Sequence, residues 1–248
     1  AEAQHPRGLA LAISDIKRVG VVGSGLMGHG IALSFALHGY PVMMHDLSAA
    51  VLVDAMGRAR ATAELFLEEG LISNEEAEAA LARMATTTDL AALAHSSDFV
   101  TEAIVERTED KRSMFNDLDR LCPARTIIAS NTSSLVLSDF GRDVARQDRI
   151  VITHYFSPPA LVPGVEVARG PGTSEETYET TCQLMSRIHH VPIRVLKEMP
   201  GYLLNRIQAA AAGEAYRLWA EGVASAEDID LGVRTTFGFR MPQEGPMM

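Results

Sequence analysis

The stretch from Val19 to Asp46 constrains the fold of this 248-residue chain more than any other. A short apolar run leads into a glycine pattern of the form GxGxxG, which a helix-period segment, a second apolar run and an acidic residue follow. This order is typical of a βαβ unit that binds a dinucleotide. The residues expected to contact the cofactor in the loop are Gly23, Ser24, Gly25, Leu26, Met27 and Gly28.

Each part of this stretch has a physical task in a dinucleotide site. Gly23 permits a tight turn, Gly25 lets the backbone approach a pyrophosphate, and Gly28 lets the helix pack close to the strand. The helix N-terminus presents N–H groups to the phosphates. Asp46 is placed to accept hydrogen bonds from the ribose 2′-hydroxyl and would repel a 2′-phosphate, so NAD is expected rather than NADP. The alternative is a glycine-rich turn that binds nothing.

Composition excludes several classes of protein. The formal net charge of −10 argues against a partner that is nucleic acid or an anionic membrane. No apolar run approaches the roughly 18 residues that a membrane span needs. Cys122 and Cys182 are far apart, so they predict reduced thiols in a cytoplasmic protein, and no metal site is expected. Residues 1–14 resemble no secretion signal and are expected to form a loose extension.

The remaining pattern predicts an α/β protein of the Rossmann type. Residues 48–70 and 73–84 have helical periodicity, which predicts a helical hairpin inserted into the sheet-forming half. Strands and helices then alternate, so residues 15–198 should form a doubly wound, mostly parallel sheet. Residues 199–248 show only helical periodicity and predict a smaller all-helical domain, too short to cover its own apolar side chains. Either further chain beyond Met248 or a second subunit in a homodimer is expected to cover them.

Polar side chains follow several predicted strands, where an open parallel sheet binds its ligands. Ser133, His154 and Glu106 occupy such positions, and Glu166 follows His154 by twelve residues across a Pro-Pro turn. A carboxylate that reaches an imidazole fixes its tautomer and stabilises the imidazolium, so the histidine can act as a general base. Taken singly, each residue also fits a structural role, as a buried histidine, a solvent-facing glutamate or a turn hydroxyl.

The order of motifs resembles the 3-hydroxyacyl-CoA dehydrogenase family from about Arg18 to the end of the chain. The matching segments are GSGLMGHGIA (23–32), EAIVE (102–106), ASNTSSL (129–135), THYFSPP (153–159), VEV (165–167), PGYLLNR (200–206) and GVASAEDID (222–230). The resemblance implies NAD as cofactor and oxidation of a 3-hydroxyl group to a ketone on a small-molecule substrate. It also implies a homodimer assembled through the C-terminal helices.

The resemblance also implies roles for individual residues. His154 would be the catalytic base and Glu166 its partner, while Ser133 and Asn205 would bind the reacting oxygen. Further contacts with the cofactor are implied for Glu106, Lys111, Ser133 and Ser157, and a substrate contact is implied for Thr62.

Two departures from the acyl-CoA members leave the substrate open. Ser157 replaces the asparagine of their HFFNP motif, and the segment from Pro158 to Glu166 is closer to branches that act without CoA. Those branches include the lambda-crystallin and gulonate group, carnitine dehydrogenase and a dehydrogenase of vitamin B6 breakdown. Acidic side chains also stand where acyl-CoA members tend to carry lysines, at Glu64, Glu68 and Glu69.

Three hypotheses therefore stand. A 3-hydroxyacyl-CoA is the first choice of substrate because such members are frequent in the family. A small hydroxy acid or aldehyde without CoA is the alternative. A catalytically silent, NAD-binding structural protein is a third, and the presence of Ser133, His154, Glu166 and Asn205 together weighs against it.

Overall fold

The computed structural model describes residues 12–247, and the predicted extension falls mostly outside them. A short 3-10 turn at Ile13–Asp15 precedes the first strand. The strands are β1 (Val19–Val22), β2 (Val42–His45), β3 (Met84–Thr87), β4 (Phe99–Glu102), β5 (Ile127–Ser130), β6 (Ile150–Tyr155), β7 (Gly164–Ala168) and β8 (Val191–Val195). The helices are α1 (Gly28–Leu37), α2 (Ala49–Glu68), α3 (Asn74–Ala82), α4 (Leu90–Ser96), α5 (Thr108–Leu121), α6 (Leu137–Phe140), α7 (Glu175–Arg187), α8 (Leu204–Ala220), α9 (Ala226–Thr235) and α10 (Phe237–Arg240).

The eight strands form one sheet in the order β3-β2-β1-β4-β5-β6-β7-β8. All neighbours run parallel except β6 and β7, which are antiparallel. The predicted Rossmann-type, mostly parallel sheet is therefore confirmed. The single antiparallel pair matters for the site, because it sets His154 directly opposite Glu166 in the register.

The central strands are buried and rich in apolar residues because helices cover both faces of the sheet. All four residues of β1 are buried, and so are all four of β4 and of β5. Helix α1 is buried at nine of its ten residues and consists largely of small or apolar side chains, which allows close packing on the sheet. This packing fixes the loop that precedes α1.

The inserted hairpin forms as predicted, but it ends earlier than expected. Helix α2 buries the stripe Leu52, Ala55, Ala59, Ala63 and Phe66, which is the spacing of one helical face. Ser73 caps α3 through a reciprocal pair of hydrogen bonds with Glu76. Residues Met84–Thr87, where the helical prediction ended, instead form the edge strand β3, and α4 follows without having been predicted.

The chain divides into two compact units at Tyr202 and Leu203. The second unit contains α8, α9 and α10, and Ser225 caps α9 by accepting a hydrogen bond from Asp228 N. No residue of these helices is buried, and Tyr216, Trp219 and Phe239 are largely exposed. Tyr202 falls within the predicted helical domain of residues 199–248, but it belongs to the first unit and is fully buried there.

Candidate active site

The loop between β1 and α1 has the geometry of a pyrophosphate cradle. Gly23 has a φ of +91°, a conformation that favours glycine. A Cβ on Gly28 would lie 1.8 Å from Gly23 O, so helix and loop touch there. A Cβ on Gly25 would meet nothing within 4 Å, which leaves space on the side where a ligand approaches. The loop therefore fits the phosphates of a dinucleotide.

Asp46 lies directly after β2, next to this loop. Its Oδ2 accepts a hydrogen bond from Ser24 N at 3.0 Å, which ties the end of β2 to the glycine-rich turn. A cavity of about 510 Å³ opens beside them, at the carboxyl ends of β1, β2 and β4. Its walls include Gly25 and Asp46 on one side and the apolar Ile104, Val105 and Met114 on the other. An acid beside an apolar slot suits a ribose and its adenine ring.

A buried ion pair lies behind this cavity. Lys111 Nζ lies 2.7 Å from Glu102 Oε1, and both side chains are at most 1% exposed. Glu102 also accepts hydrogen bonds from Ser130 Oγ at 2.6 Å and Ile104 N at 2.7 Å. Burial raises the pKa of the Glu102 carboxyl, although the Lys111 charge opposes that shift. The ammonium of Lys111 is thus held by protein carboxylates, and its implied contact with the cofactor stays a prediction.

Glu106 organises the loop that carries Ser133. Its Oε1 accepts hydrogen bonds from Thr132 Oγ1 at 2.5 Å, from Ser133 N at 3.0 Å and from Ser134 N at 2.9 Å. Its Oε2 lies 3.4 Å from Lys111 Nζ. Burial alone would raise the pKa of Glu106, but the Thr132 hydroxyl and the Lys111 charge outweigh it and hold the pKa below its usual value. Glu106 is therefore a stable carboxylate that fixes the backbone at Ser133.

His154 and Glu166 form the pair on which the proposed chemistry depends. His154 Nδ1 lies 2.7 Å from Glu166 Oε2, and the two residues are 4% and 0% exposed. They meet because the antiparallel strands β6 and β7 set them opposite each other on one face of the sheet. The carboxylate requires a proton on Nδ1, which leaves Nε2 as the nitrogen that can accept a proton from a substrate.

Neighbouring residues fix the position of this imidazole. The His154 ring lies 4.5 Å from the Phe156 ring and 5.7 Å from the Tyr202 ring, measured between centroids. The Tyr202 hydroxyl donates to Leu135 O, in the loop that follows Ser133. Asn131 Oδ1 accepts a hydrogen bond from Tyr155 N at 2.9 Å, where the backbone pairing of β5 with β6 has ended. The loop after β5 is thereby joined to the strand that carries His154.

The other predicted site residues are placed less directly. Leu26 is exposed in the glycine-rich loop, and Met27 is the residue immediately before α1. Ser157 is exposed just after β6, and the Thr62 hydroxyl donates to Arg58 O within α2. Asn205 lies in the first turn of α8, in the second unit, so its part in the site stays a prediction.

Sequence reasoning did not single out Glu102 or Asn131, although both lie in motifs that carry the family resemblance. Glu102 opens EAIVE and Asn131 lies within ASNTSSL. The available signal was their position at the ends of two buried strands, where a polar residue needs a partner. Their partners come from elements far along the chain, and that information is not in the local pattern.

Residues 12–247, the described part of the chain, offer neither a metal centre nor a membrane-spanning helix. No cluster of three or more histidine, cysteine or acidic side chains in this part of the chain could hold a metal ion. None of its helices has both the length and the apolar character that a membrane crossing requires.

Fold and loop geometry define a dinucleotide-binding protein of the Rossmann type, and comparison with known proteins identifies the family. Residues 18–199 match the model of the 3-hydroxyacyl-CoA dehydrogenase NAD binding domain, and residues 201–247 match that of the 3-hydroxyacyl-CoA dehydrogenase C-terminal domain. The chain therefore belongs to the 3-hydroxyacyl-CoA dehydrogenase family.

Individual relatives bear two kinds of name. The chain is 36% identical to human mitochondrial hydroxyacyl-coenzyme A dehydrogenase over 91% of this chain and 73% of that protein. It is 35% identical to Escherichia coli 3-hydroxyadipyl-CoA dehydrogenase, over 94% of this chain and 48% of that protein. It is also 32% identical to rabbit lambda-crystallin, over 92% of this chain and 72% of that protein.

Solved structures give the same result. The (S)-3-hydroxybutyryl-CoA dehydrogenase of Ralstonia eutropha superposes with a TM-score of 0.86 at 32% identity, over 90% of this chain and 78% of that one. An NAD-dependent 5-dehydrogenase of 5-formyl-3-hydroxy-2-methylpyridine 4-carboxylic acid superposes with a TM-score of 0.83 at 29% identity, over 94% and 74%. The E. coli 3-hydroxybutyryl-CoA dehydrogenase superposes with a TM-score of 0.85 at 35% identity. The match covers 88% of this chain but only 46% of that one.

These findings confirm the family resemblance, NAD as the cofactor and the class of NAD-dependent dehydrogenase that acts on a CH–OH group. They leave the roles of individual residues as predictions.

Proposed function

We propose that this protein oxidises the 3-hydroxyl group of a 3-hydroxyacyl-CoA to a ketone, with His154 as the general base. The observation that carries the proposal is the 2.7 Å hydrogen bond between His154 Nδ1 and Glu166 Oε2 in a buried strand pair. In a family of NAD-dependent dehydrogenases, such a pair supplies the base that the oxidation of an alcohol needs.

Different residues of the chain have different roles in the proposed reaction. Bound NAD supplies the hydride acceptor. The glycine-rich loop would hold the phosphates of NAD, Asp46 would hold the ribose, and the apolar residues that line the cavity would receive the adenine. His154 Nε2 takes the hydroxyl proton, while Glu166 fixes the ring and stabilises the imidazolium. Ser133 donates a hydrogen bond to the reacting oxygen, and Glu106 holds the backbone of Ser133.

The CoA thioester is supported by the names of the human and E. coli relatives. It would place the enzyme in fatty acid metabolism. Thr62 on α2 would then contact the substrate, and Arg58 and Arg60 of the same helix are the cations that would bind the adenosine end of CoA if it lies near the helix start.

A small hydroxy acid or aldehyde without CoA is the second candidate. It is favoured by Glu64, Glu68 and Glu69, which are exposed on α2 and the residue after it. Like charge beside a polyphosphate weakens binding. The relatives named lambda-crystallin and the pyridine-carboxylic acid dehydrogenase belong to branches of this kind.

A substrate panel decides between the two. NADH formation is followed with 3-hydroxybutyryl-CoA and with free 3-hydroxybutyrate, each with and without added free CoA. The proposal expects activity on the thioester, competition by free CoA, and a lower KM for the thioester in Glu69→Lys. Activity on the free acid without competition from CoA would replace the first candidate by the second.

The proposal includes a homodimer through α8 and α9. Its support is the exposure of Tyr216 and Trp219, at 70% and 56%, since large apolar patches are uncommon on monomers. Light scattering at micromolar concentration is expected to give twice the chain mass, and Trp219→Glu to lower it. A monomeric wild type would contradict this part.

The proposed location is the cytoplasm. Cys122 and Cys182 are buried free thiols, as a reducing compartment favours. Cell fractionation tests it, and recovery in an organelle, as the name of the human relative suggests for that protein, would contradict it.

A further inference from the structure

The cofactor cavity has an acidic lining. Asp46, Asp110 and Asp117 line it, and no lysine or arginine is among its described lining residues. A dinucleotide brings a diphosphate anion to this place, and like charges repel. The loop N–H groups and the N-terminus of α1 offset part of that repulsion through partial charges. A full positive charge close to the loop would stabilise the bound anion further.

Arg58 supplies such a charge from a different element. It lies on the exposed side of α2, and its Nη2 donates a hydrogen bond of 3.0 Å to Ser24 O, inside the glycine-rich loop. The same Ser24 donates its backbone N–H to Asp46. The guanidinium is therefore anchored at the residue that joins the loop to the ribose-binding acid.

The charge of Arg58 acts on His29, which lies in the first turn of α1 directly after the loop. His29, in the first turn of α1, has its Nδ1 at 2.8 Å from Gly25 O. Burial lowers the pKa of His29 most, the bond to Gly25 opposes this, and the Arg58 charge lowers it further. A guanidinium has five N–H donors in a planar fork that matches phosphate oxygens, and the bond to Ser24 uses one of them.

We infer that Arg58 is a cofactor-binding residue that contacts the diphosphate of NAD while it is anchored on Ser24. The inference does not depend on which hydroxyl compound the enzyme oxidises. It also bears on the CoA question, because an arginine engaged at the glycine-rich loop is not available to a CoA phosphate farther along α2.

Binding measurements with fragments of the cofactor test the inference without turnover. The variants are Arg58→Ala and Arg58→Lys, and Arg142→Ala is the control, at an exposed arginine just after α6 that does not line the cofactor cavity. Dissociation constants are measured for NADH by fluorescence, and for ADP-ribose and adenosine by calorimetry. ADP-ribose contains the diphosphate, whereas adenosine does not.

Arg58→Ala is expected to raise the Kd for NADH and for ADP-ribose about tenfold, because one charge-assisted contact is lost. The Kd for adenosine should stay unchanged. Arg58→Lys should restore part of the affinity, and Arg142→Ala should bind all three ligands with wild-type affinity. The Kd of the wild type should rise more steeply with salt than that of Arg58→Ala.

Two outcomes would overturn the inference. Unchanged affinity for ADP-ribose in Arg58→Ala would show that the arginine closes the loop without contacting the anion. An equal loss for adenosine and ADP-ribose, with a lower melting temperature, would show that its role is to hold the loop in shape.

Discussion

His154 illustrates how the fold gives one side chain a chemical role. The antiparallel pairing of β6 with β7 sets Glu166 against its Nδ1, and ring contacts from Phe156 and Tyr202 hold its plane. A carboxylate hydrogen-bonded to Nδ1 holds the imidazole in one tautomer and compensates the charge of the imidazolium that forms during the reaction. Glu166 therefore supports the reaction by stabilising the imidazolium and by fixing the tautomer.

Glu166→Gln tests this role at the level of one charge. The amide can still accept a hydrogen bond from Nδ1, but it no longer compensates the imidazolium. We expect kcat to fall by less than it does when the base itself is removed, with KM and NADH affinity nearly unchanged. His95→Gln, at an exposed histidine in α4, is the control. Full activity in Glu166→Gln would contradict the role of the carboxylate.

The glycines of the loop make a second prediction at the residue scale. A Cβ at Gly25 meets no protein atom within 4 Å, whereas at Gly28 it would lie 1.8 Å from Gly23 O. We expect Gly25→Ala to keep the wild-type melting temperature and to lose NADH affinity, because the new methyl group occupies ligand space. Gly28→Ala should lower both the melting temperature and the NADH affinity. Normal NADH binding by Gly25→Ala would place the cofactor elsewhere.

At the scale of secondary-structure elements, the Lys111 ammonium links helix α5 to strand β4. It extends from α5 to Glu102 at the end of β4, and Ser130 of β5 adds a hydrogen bond to the same carboxylate. A buried ion pair contributes little net stability when intact, but removal of one partner leaves an uncompensated charge.

Lys111→Met should therefore lower the free energy of unfolding by about 3–5 kcal/mol, as urea denaturation would measure it. The double variant Lys111→Met with Glu102→Gln should regain much of that loss, because the fully buried Glu102 charge is removed together with that of Lys111. Lys197→Met, at an exposed lysine, serves as the control. A single variant as stable as the wild type would show that water reaches this pair.

Elements differ in how far the sequence predicts them. The βαβ unit follows from two apolar runs on either side of a glycine pattern and a helix-period segment, and it forms where predicted. Strand β3 has the sequence MATT at the edge of the sheet, with only Met84 buried, so it shows no periodicity that separates it from the helix before it.

The candidate site, like the strands, is predicted only in part by the sequence. The sequence predicts which polar side chains stand at the ends of strands. His154 and Glu166 face each other once β6 and β7 pair. The bond from Asn131 to Tyr155 and the bond from Arg58 to Ser24 depend on distances between remote elements. Local sequence carries no such information, so these contacts were found only in three dimensions.

At the scale of the whole molecule, a buried histidine couples stability to pH. His190 is 7% exposed, with Nε2 at 2.8 Å from Ser34 Oγ and Nδ1 at 3.2 Å from Pro163 O. Burial lowers its pKa below the usual 6.5, although the carbonyl of Pro163 opposes the shift. The unfolded chain therefore binds this proton first, and the contribution of neutral His190 is complete above pH 6.5 and is lost as the pH falls through the folded-state pKa.

We expect the free energy of unfolding to decrease between pH 7 and pH 5, with at most about 1.4 kcal/mol per pH unit from this one group. His190→Gln should reduce that slope without abolishing it, because burial also lowers the pKa of His29 and His45. Urea titrations at several pH values measure it. An unchanged slope in His190→Gln would show that His190 is not among the groups responsible.

The assignment of His154 as the base of an NAD-dependent oxidation is tested most directly by His154→Gln, assayed for kcat and for NADH affinity on the same preparation. A positioned general base contributes roughly 10² to 10⁴ in rate, so kcat should fall by about that factor while the Kd for NADH stays at the wild-type value. Wild-type kcat in His154→Gln would contradict the assignment, as would a loss of activity that parallels a loss of NADH binding.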